Sequence, residues 1–373
     1  MISIGLIGCG DVAEYGHLPT ILAHDRFRPV AVCDISPARA QLLARRAGGI
    51  AAYQDWRELL DNEKLDAVVL ALPPEVSPAI VEECLDRHLA VLDEKPLAAS
   101  VAVGRQLATL IGNRHCVYQV GFVLRYGDWV HDIQAAVASL GSPLQINVDI
   151  FDERLDVKNF VHLARIQSFL RNSSALTHEG SHVIDYVGLW RNANWCSVAA
   201  SSRKTLDIFD GPNVWNARIN FKDETTLEVQ VGWLLAELPP STIDIRGPSG
   251  QLHFNLATGR GEMRVVGLQQ SLDWKPIAAE WHRQYDAFAE AIDAGTATRA
   301  TVHDALRALE ITAACELSAR KGREITRTEF LNEGIIDRRD ERHALPTPPV
   351  SASPSRIDEP LSNRRPTLRE VNK

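Results

Sequence analysis

A glycine-rich turn near the N-terminus constrains the fold of this chain more than any other feature. It follows the apolar run 4–7, precedes a segment that can form a helix, and consists of Gly8, Cys9, Gly10, Asp11, Val12 and Ala13. In a Gly-x-Gly-x-x-Ala turn the first glycine allows a tight bend, and the second lets the backbone approach a phosphate group. The small alanine permits close packing of helix and strand, and the N–H groups at the start of the helix attract anions. The pattern therefore predicts a strand, a turn and a helix that bind a dinucleotide.

The next predicted strand supplies an acidic residue for the same ligand. Residues 29–33 are mostly apolar and lead directly to Asp34. An acid at this position accepts hydrogen bonds from the ribose hydroxyls of NAD and repels the extra phosphate of NADP. Arg39 lies close enough in sequence to tolerate that phosphate, so NAD is the predicted cofactor and NADP stays an alternative. The predicted cofactor-binding residues of these two segments are Gly8, Gly10, Asp11, Val12, Ala13, Asp34 and Arg39.

The first third of the chain alternates short apolar runs with segments of helical spacing. Strands are predicted at 3–7, 30–34, 66–72, 89–92 and 117–120, and helices at 37–47, 78–87 and 101–111. This alternation is typical of a doubly wound parallel sheet with helices on both faces. We therefore predict an N-terminal α/β domain of the Rossmann type at residues 1–123.

The pattern changes from about residue 124. Strands with period-two alternation are predicted at 144–150, 213–221, 225–233, 242–246 and 251–254, with helices at 128–139, 175–190, 280–294 and 301–320. Such strands indicate an α+β domain with an open, mostly antiparallel sheet at 124–334. The charged and aromatic segment 151–174 is predicted to be a long loop. Residues 335–373, rich in proline, serine and charge, are predicted to be a disordered tail.

Composition excludes several classes of partner. The chain has 373 residues and a formal net charge of −8, and its folded part has no basic stripe, so nucleic acid is not an expected partner. No apolar run is long enough for a membrane span, and no export signal is visible. The six cysteines are scattered without metal-type spacing, which favours reduced thiols in a cytoplasmic protein.

A lysine follows the fifth predicted strand, at the sheet edge where ligands bind in open α/β folds. In the sequence Asp93-Glu94-Lys95-Pro96, this position aims Lys95 at the nicotinamide end of a bound dinucleotide. A lysine there can donate a hydrogen bond to a substrate oxygen and stabilise negative charge that develops on it. A surface lysine that merely ends a strand is the alternative. Further predicted cofactor-binding residues at this edge are Leu72, Pro73, Glu94 and Lys95.

Two histidines and an aspartate fall in one predicted helix. His178, His182 and Asp185 are spaced four and three residues apart, which places them on one helix face. A neutral histidine beside a carboxylate can take a hydroxyl proton while a hydride leaves the carbon. Residues 178–182 also match His-Glu-x-x-His, but the third histidine of the metzincin pattern is replaced by Gly188. We therefore predict that Lys95, His182, His178 and Asp185 are catalytic and that no metal is bound, with hydrogen-bonded core histidines as the alternative.

In combination, these motifs resemble the glucose-fructose oxidoreductase, inositol dehydrogenase and MocA-like (Gfo/Idh/MocA) oxidoreductases. The resemblance extends from Met1 to about Phe330 and rests on the glycine turn, on His17-Leu18-Pro19, Glu94-Lys95-Pro96, Gly121-Phe122 with Arg125, the spacing of Gly180, His182 and Asp185, and residues 305–323. It implies a Rossmann domain followed by an α/β domain whose sheet often joins subunits. It also implies that Lys95 positions the reacting oxygen and that His182 acts as base or acid.

The resemblance implies NAD(P)-dependent oxidation of a secondary alcohol of a sugar, cyclitol or related polyol, or reduction of the matching ketone. Many members have aspartate at the position of His178, and the version with histidine looks similar to a branch that acts on amino- or nucleotide-linked sugars. A biosynthetic ketoreductase of such sugars and a non-catalytic sensor therefore stay open. Arg125, Arg165 and His178 are predicted substrate-binding residues, and a homodimer or homotetramer through the C-terminal sheet is expected.

Overall fold

The computed structural model describes residues 1–114, 116–273 and 279–332. The predicted tail at 335–373 lies outside the described residues. None of the helices in the described ranges has both the length and the apolar composition needed to cross a membrane.

The N-terminal part forms a parallel sheet covered by helices. Its elements, in chain order, are β1 (Ile2–Ile7), α1 (Leu18–Ala23), β2 (Phe27–Cys33), α2 (Pro37–Arg46), β3 (Ala51–Tyr53), α3 (Trp56–Asn62), β4 (Ala67–Leu70), α4 (Ser77–Asp86), β5 (Ala90–Asp93), α5 (Val101–Gly112) and β6 (Tyr118–Val120). The strand order β3-β2-β1-β4-β5-β6 makes β1 and β4 the neighbours at which the order reverses. The predicted doubly wound parallel sheet is confirmed, and ligands bind such sheets at this switch point.

The C-terminal part forms a second, larger sheet. Its elements, in chain order, are α6 (Asp128–Leu140), β7 (Gln145–Asp152), α7 (Phe160–Asn172), α8 (Ser181–Trp190), β8 (Trp195–Arg203), β9 (Val214–Phe221), β10 (Thr226–Trp233), β11 (Thr242–Gly247), β12 (Gly250–Asn255), β13 (Arg260–Val265), β14 (Leu268–Asp273), α9 (Glu280–Ala294), α10 (Val302–Lys321), β15 (Ile325–Thr326) and α11 (Arg327–Asn332). The nine strands have the order β14-β13-β12-β11-β7-β10-β9-β8-β15. Only the β7–β10 pair is parallel among the strand pairs of the described residues, so the predicted open, mostly antiparallel sheet is confirmed.

Residues 151–174 differ from the predicted long loop, because they contain the helix α7. Ile166 and Leu170, four residues apart, are buried against the core. Phe160 and Val161, in contrast, are 76% and 78% exposed at the start of the same helix. Because these apolar residues are exposed, the apolar positions of the segment do not follow a helical period, and its sequence resembles that of a loop.

Helix α9 packs on the first sheet although it comes late in the sequence. The rings of Tyr285 and Phe288 lie 5.2 and 6.2 Å from the ring of Phe27, which belongs to β2. The same apolar cluster contains Ile4 and Leu6 of β1. The division of the chain at residues 123 and 124 stays a prediction, and α9 adds a contact from the second segment to the core of the first.

This packing predicts a large loss of stability for Phe288→Ala. The side chain is fully buried, so its truncation should lower the free energy of unfolding by about 3–5 kcal/mol. Urea unfolding followed by circular dichroism measures the change. The control Phe160→Ala removes an exposed ring of the same type and should stay within about 0.5 kcal/mol of the parent chain. A loss below about 1 kcal/mol for Phe288→Ala would contradict the assignment of α9 to this core.

Candidate cofactor and active site

The glycine turn has the geometry that a dinucleotide requires. Gly8 has a φ of +95°, and a Cβ there would lie 2.3 Å from the carbonyl oxygen of Ala71. At Gly10 no atom of the described residues other than Gly10 and its chain neighbours lies within 4 Å of the position of a Cβ, so the backbone borders open space. Residues 11–23 continue as one helical segment that includes a π-helical turn at Ala13–His17. Because the first N–H groups of a helix lack partners within it, this turn fits a diphosphate.

Asp34 is fixed at the tip of β2. Its Oδ2 accepts a hydrogen bond from the N–H of Cys9 at 2.8 Å, and its Oδ1 accepts one from the N–H of Ser36 at 2.8 Å. The carboxylate thus ties the second strand to the glycine turn. Since each carboxylate oxygen can accept more than one hydrogen bond, the group fits ribose hydroxyls at the same time. Arg39 is exposed on α2, one turn further along.

The sheet edge beyond β4 and β5 brings the other predicted residues to the same place. The glycine turn follows β1, whose neighbour β4 leads to Leu72 and Pro73. Leu72 lies beside Gly8, because its Cδ2 would be 3.1 Å from a Cβ there. The carboxylate of Glu94 is buried and lies 3.1 Å from Nε2 of His17. Glu94 therefore faces the interior, and its predicted contact with a cofactor stays a prediction.

Lys95 reaches across to the second domain. Its Nζ donates a hydrogen bond to the carbonyl oxygen of His178 at 3.2 Å. His178 belongs to a π-helical turn at Leu176–Gly180 that leads directly into α8. The lysine of the first sheet and the histidine segment therefore meet between the two domains, at a place called the cleft below, and their catalytic roles stay predictions.

The ring of His178 lies in an aromatic environment. Its centroid is 5.0 Å from that of Phe169 and 5.3 Å from that of Trp233. Loss of hydration and, secondly, the positive charge of Lys95 lower the pKa of His178 to about 3. The imidazole is therefore neutral at physiological pH and can serve as a hydrogen-bonding group for a substrate.

His182 lies on the first turn of α8, one helical step beyond His178. The residue is 2% exposed, and its ring packs edge-on against Phe122 at a centroid distance of 5.9 Å. Phe122 follows β6, so His182 is held against the first domain.

Asp185 and Arg125, predicted as a catalytic and a substrate-binding residue, form a buried ion pair. The carboxylate of Asp185 accepts two hydrogen bonds from Arg125, one of them from Nε at 3.0 Å, and both residues are buried. Burial raises the pKa of Asp185 to about 6, and the guanidinium opposes that rise. Arg125 also contacts Asp304 and the carbonyl oxygen of Arg299. Asp185 and Arg125 therefore neutralise each other in the described structure, and the predicted catalytic role of Asp185 and substrate-binding role of Arg125 stay predictions.

Arg165 also lies elsewhere than beside the histidines. Its guanidinium is 3.0 Å from Oδ2 of Asp11 in the glycine turn and 3.2 Å from Oε1 of Glu153. A residue predicted to bind substrate thus contacts a residue predicted to bind the cofactor. Its role as a substrate ligand stays a prediction.

Two groups that support the site were missed by sequence reasoning. His17 is hydrogen-bonded through Nδ1 to the hydroxyl of Tyr285 at 2.9 Å, so it links Glu94 to α9. Glu316 of α10 accepts hydrogen bonds from the hydroxyls of Ser174 and Thr177 at 2.7 and 2.9 Å. His17 had a signal in the motif His17-Leu18-Pro19, whereas Glu316 lies in an ordinary amphipathic helix without one.

This geometry defines a two-domain dinucleotide-binding protein whose second domain brings histidines to a lysine at the edge of the Rossmann sheet. Residues 2–122 match the GFO_IDH_MocA model, described as an oxidoreductase family with an NAD-binding Rossmann fold. The resemblance to the Gfo/Idh/MocA oxidoreductases that the motifs predict is confirmed by this match.

Relatives of two kinds are similar to the chain. An inositol 2-dehydrogenase of Rubrobacter xylanophilus is 33% identical over 151 residues, which is 38% of this chain and 42% of that enzyme. This alignment therefore spans less than half of the relative. A dTDP-3,4-didehydro-2,6-dideoxy-α-D-glucose 3-reductase of Actinomadura kijaniata is 24% identical over 86% of this chain and 96% of its own length.

A solved structure extends the similarity in fold to both domains. The crystal structure of myo-inositol 2-dehydrogenase from Lactobacillus plantarum has a TM-score of 0.76 and 17% sequence identity, and covers 87% of this chain and 99% of that one. The agreement confirms the arrangement of a Rossmann domain and a second α/β domain.

The environment of His178 predicts a specific dependence of stability on pH. Its folded pKa of about 3 lies below that of an unfolded histidine, about 6.5, so the unfolded chain binds more protons below pH 6.5. Lowering the pH from 7 to 5 should therefore cost the parent chain about 1–2 kcal/mol more than His178→Gln. Urea unfolding at several pH values measures this difference. His303→Gln, which replaces an exposed histidine, should follow the parent profile, and parallel profiles for His178→Gln would contradict the assignment.

Proposed function

We propose that the protein is an NAD(P)-dependent oxidoreductase that acts on a secondary alcohol, or the matching ketone, of a sugar, cyclitol or related polyol. The contact between Lys95 Nζ and the carbonyl oxygen of His178 carries this proposal, because it joins the dinucleotide edge of one domain to the histidine segment of the other. The match of residues 2–122 to an oxidoreductase family model supports it. The similarity to inositol 2-dehydrogenases favours a cyclitol or sugar as substrate.

The residues of the cleft divide the proposed reaction between them. When bound, the nicotinamide accepts or supplies the hydride. Lys95 donates a hydrogen bond through Nζ to the reacting oxygen and offsets the negative charge that develops there. A ring nitrogen of His182 takes the hydroxyl proton during oxidation, or returns it during reduction, so charge and protons balance. His178, with its low pKa, orients a substrate hydroxyl as a neutral group.

A second candidate is a ketoreductase of a nucleotide-linked or amino sugar. It uses the same residues in the direction of reduction. The near full-length alignment with the 3-reductase of Actinomadura kijaniata favours it. A non-catalytic NAD(P) sensor is the remoter candidate, and the presence of both Lys95 and His182 in the sequence argues against it.

Replacement of Lys95 or His182 should remove the hydride-transfer step. We expect Lys95→Ala to slow single-turnover reduction of NAD by about 10²–10³-fold, and His182→Ala by about 10²–10⁴-fold. Stopped-flow absorbance of NADH, with the substrate selected from cyclitols, aminosugars and sugar nucleotides, measures the rate. Lys64→Ala, which changes an exposed lysine before β4, should leave it unchanged.

The outcomes of this experiment separate the candidates. Unchanged turnover in both variants would refute the catalytic roles. A parent chain that binds a dinucleotide but turns over no member of the panel in either direction would favour the sensor. Activity in the reductive direction alone, on nucleotide-linked ketosugars, would favour the ketoreductase.

Cofactor preference should depend on Asp34. Its anchored carboxylate is expected to accept ribose hydroxyls and to repel a 2′-phosphate, so the parent chain should bind NADH more tightly than NADPH. Asp34→Asn removes the charge and keeps a hydrogen-bonding oxygen, so the preference should shift toward NADPH by about tenfold or more. Titration of cofactor fluorescence measures both affinities. Tighter NADPH binding by the parent chain would contradict this interpretation, and Asp55→Asn, at an exposed helix cap, provides the matched control.

We also propose that the chain forms a homodimer or homotetramer through the second sheet. The central strands β9 and β10 expose the cross-strand pair Arg218 and Glu228, whose side chains are 60% and 49% accessible. This face of the sheet is therefore left open by the described helices. The polar side chains of this face suit a contact between subunits that are also stable as separate molecules in water.

A further inference from the structure

Arg165 contacts the glycine turn from the second domain. It lies on α7, and its guanidinium is 3.0 Å from Oδ2 of Asp11. Asp11 directly follows Gly10 and begins the helical segment whose N-terminus suits a diphosphate. A positive charge from α7 is thereby held beside the predicted phosphate-binding turn.

The ion pair between Arg165 and Asp11 is weak enough for Arg165 to take another anionic partner. The two side chains are 34% and 38% accessible, and ion pairs of that exposure contribute little to stability. A diphosphate carries more charge than a carboxylate and offers paired oxygens that match the guanidinium fork. Arg165 therefore gains more from a diphosphate than it loses by leaving Asp11.

The charges around Arg165 determine whether it is available to bind an anion. Glu153 holds the guanidinium from the side at 3.2 Å and fixes its position on α7. Burial and Arg165 lower the pKa of His162, so that neighbour adds no positive charge at neutral pH. Asp11 presents a negative charge to an arriving diphosphate. Among these neighbours, Arg165 is the residue that can compensate that charge.

We propose that Arg165 binds the diphosphate of the dinucleotide directly and that cofactor binding thereby fastens α7 over the cleft. This inference rests on the proposed function, since it takes a dinucleotide as the ligand. It assigns to the cofactor site a residue that the sequence places with the substrate. It also couples the two ligands, because α7 carries Phe169 beside His178.

Binding measurements on the full chain test the proposal without activity. ADP-ribose, which contains the diphosphate but no nicotinamide, and NADH are titrated by calorimetry and fluorescence at low and high salt. Arg165→Ala should weaken both by about tenfold or more at low salt, with a smaller loss at high salt. Arg165→Lys keeps a positive charge without the guanidinium fork, so its affinities for both ligands should fall between those of the parent chain and Arg165→Ala. Arg171→Ala, on the same helix and paired with Asp210, should bind like the parent chain.

A double-mutant cycle separates direct binding from neutralisation of Asp11. Asp11→Asn should tighten ADP-ribose binding, because it releases Arg165 and removes a repelling charge. If Arg165 contacts the diphosphate, Arg165→Ala costs the same fold-change or a larger one in the Asp11→Asn background, because no pair with Asp11 has to be broken there. A loss that disappears in that background, or equal binding by Arg165→Ala and the parent chain, would overturn the proposal. Thermal unfolding of each variant verifies the fold, and Arg165→Lys carries the test should Arg165→Ala unfold.

The outcomes also separate this inference from the proposed function. A parent chain that binds neither ligand would refute both. A parent chain that binds ADP-ribose through Arg165 but transfers no hydride would refute the oxidoreductase and leave the diphosphate contact standing.

Discussion

A buried hydrogen-bond network fixes the edge of the first sheet, and the site depends on it. His17 comes from the helical segment after the glycine turn, Glu94 from the end of β5, and Tyr285 from α9; their side chains meet at 2.9 and 3.1 Å. All three residues are at most 8% exposed. Because buried polar groups without partners are costly, these three elements have little freedom to separate. Lys95 follows Glu94 directly and inherits its position from this network.

The histidine segment is positioned by an independent set of contacts. Glu316 of α10 accepts hydrogen bonds from Ser174 and Thr177, so it anchors the start of the π-helical turn that contains His178. A π-helical turn inserts a residue into the helical period and often marks a functional site. Here it lets His178 present its carbonyl oxygen to Lys95 while α8 continues toward Arg125. Lys95 of the first domain and the histidine segment of the second are therefore held in contact by separate sets of interactions.

The fold could be predicted from local pattern, whereas the partners of the charged residues could not. Local sequence indicates the turn at Gly8 and Gly10, the alternation of strands and helices, and the aspartate after β2. The structure has each of these features at the predicted position. The hydrogen bond between Asp185 and Arg125 joins residues 60 positions apart, and no local pattern in the sequence indicates it. The helix α7 was missed because its exposed Phe160 and Val161 obscure its apolar face. Charged side chains have many acceptable partners, and tertiary packing alone selects among them.

The two cleft arginines show how burial separates permanent from exchangeable charge. Arg125 and Asp185 are about 5% and 1% accessible, and removing one partner from such a pair costs about 3–5 kcal/mol, because the other charge is left in a dry environment. Arg165 and Asp11 are each about one-third accessible, so hydration of the two charges offsets most of the interaction energy that is lost when they separate. A ligand anion can therefore recruit Arg165 but cannot recruit Arg125. The charge that is available to a dinucleotide or an anionic substrate follows from accessibility, and a count of basic residues near the cleft overstates it.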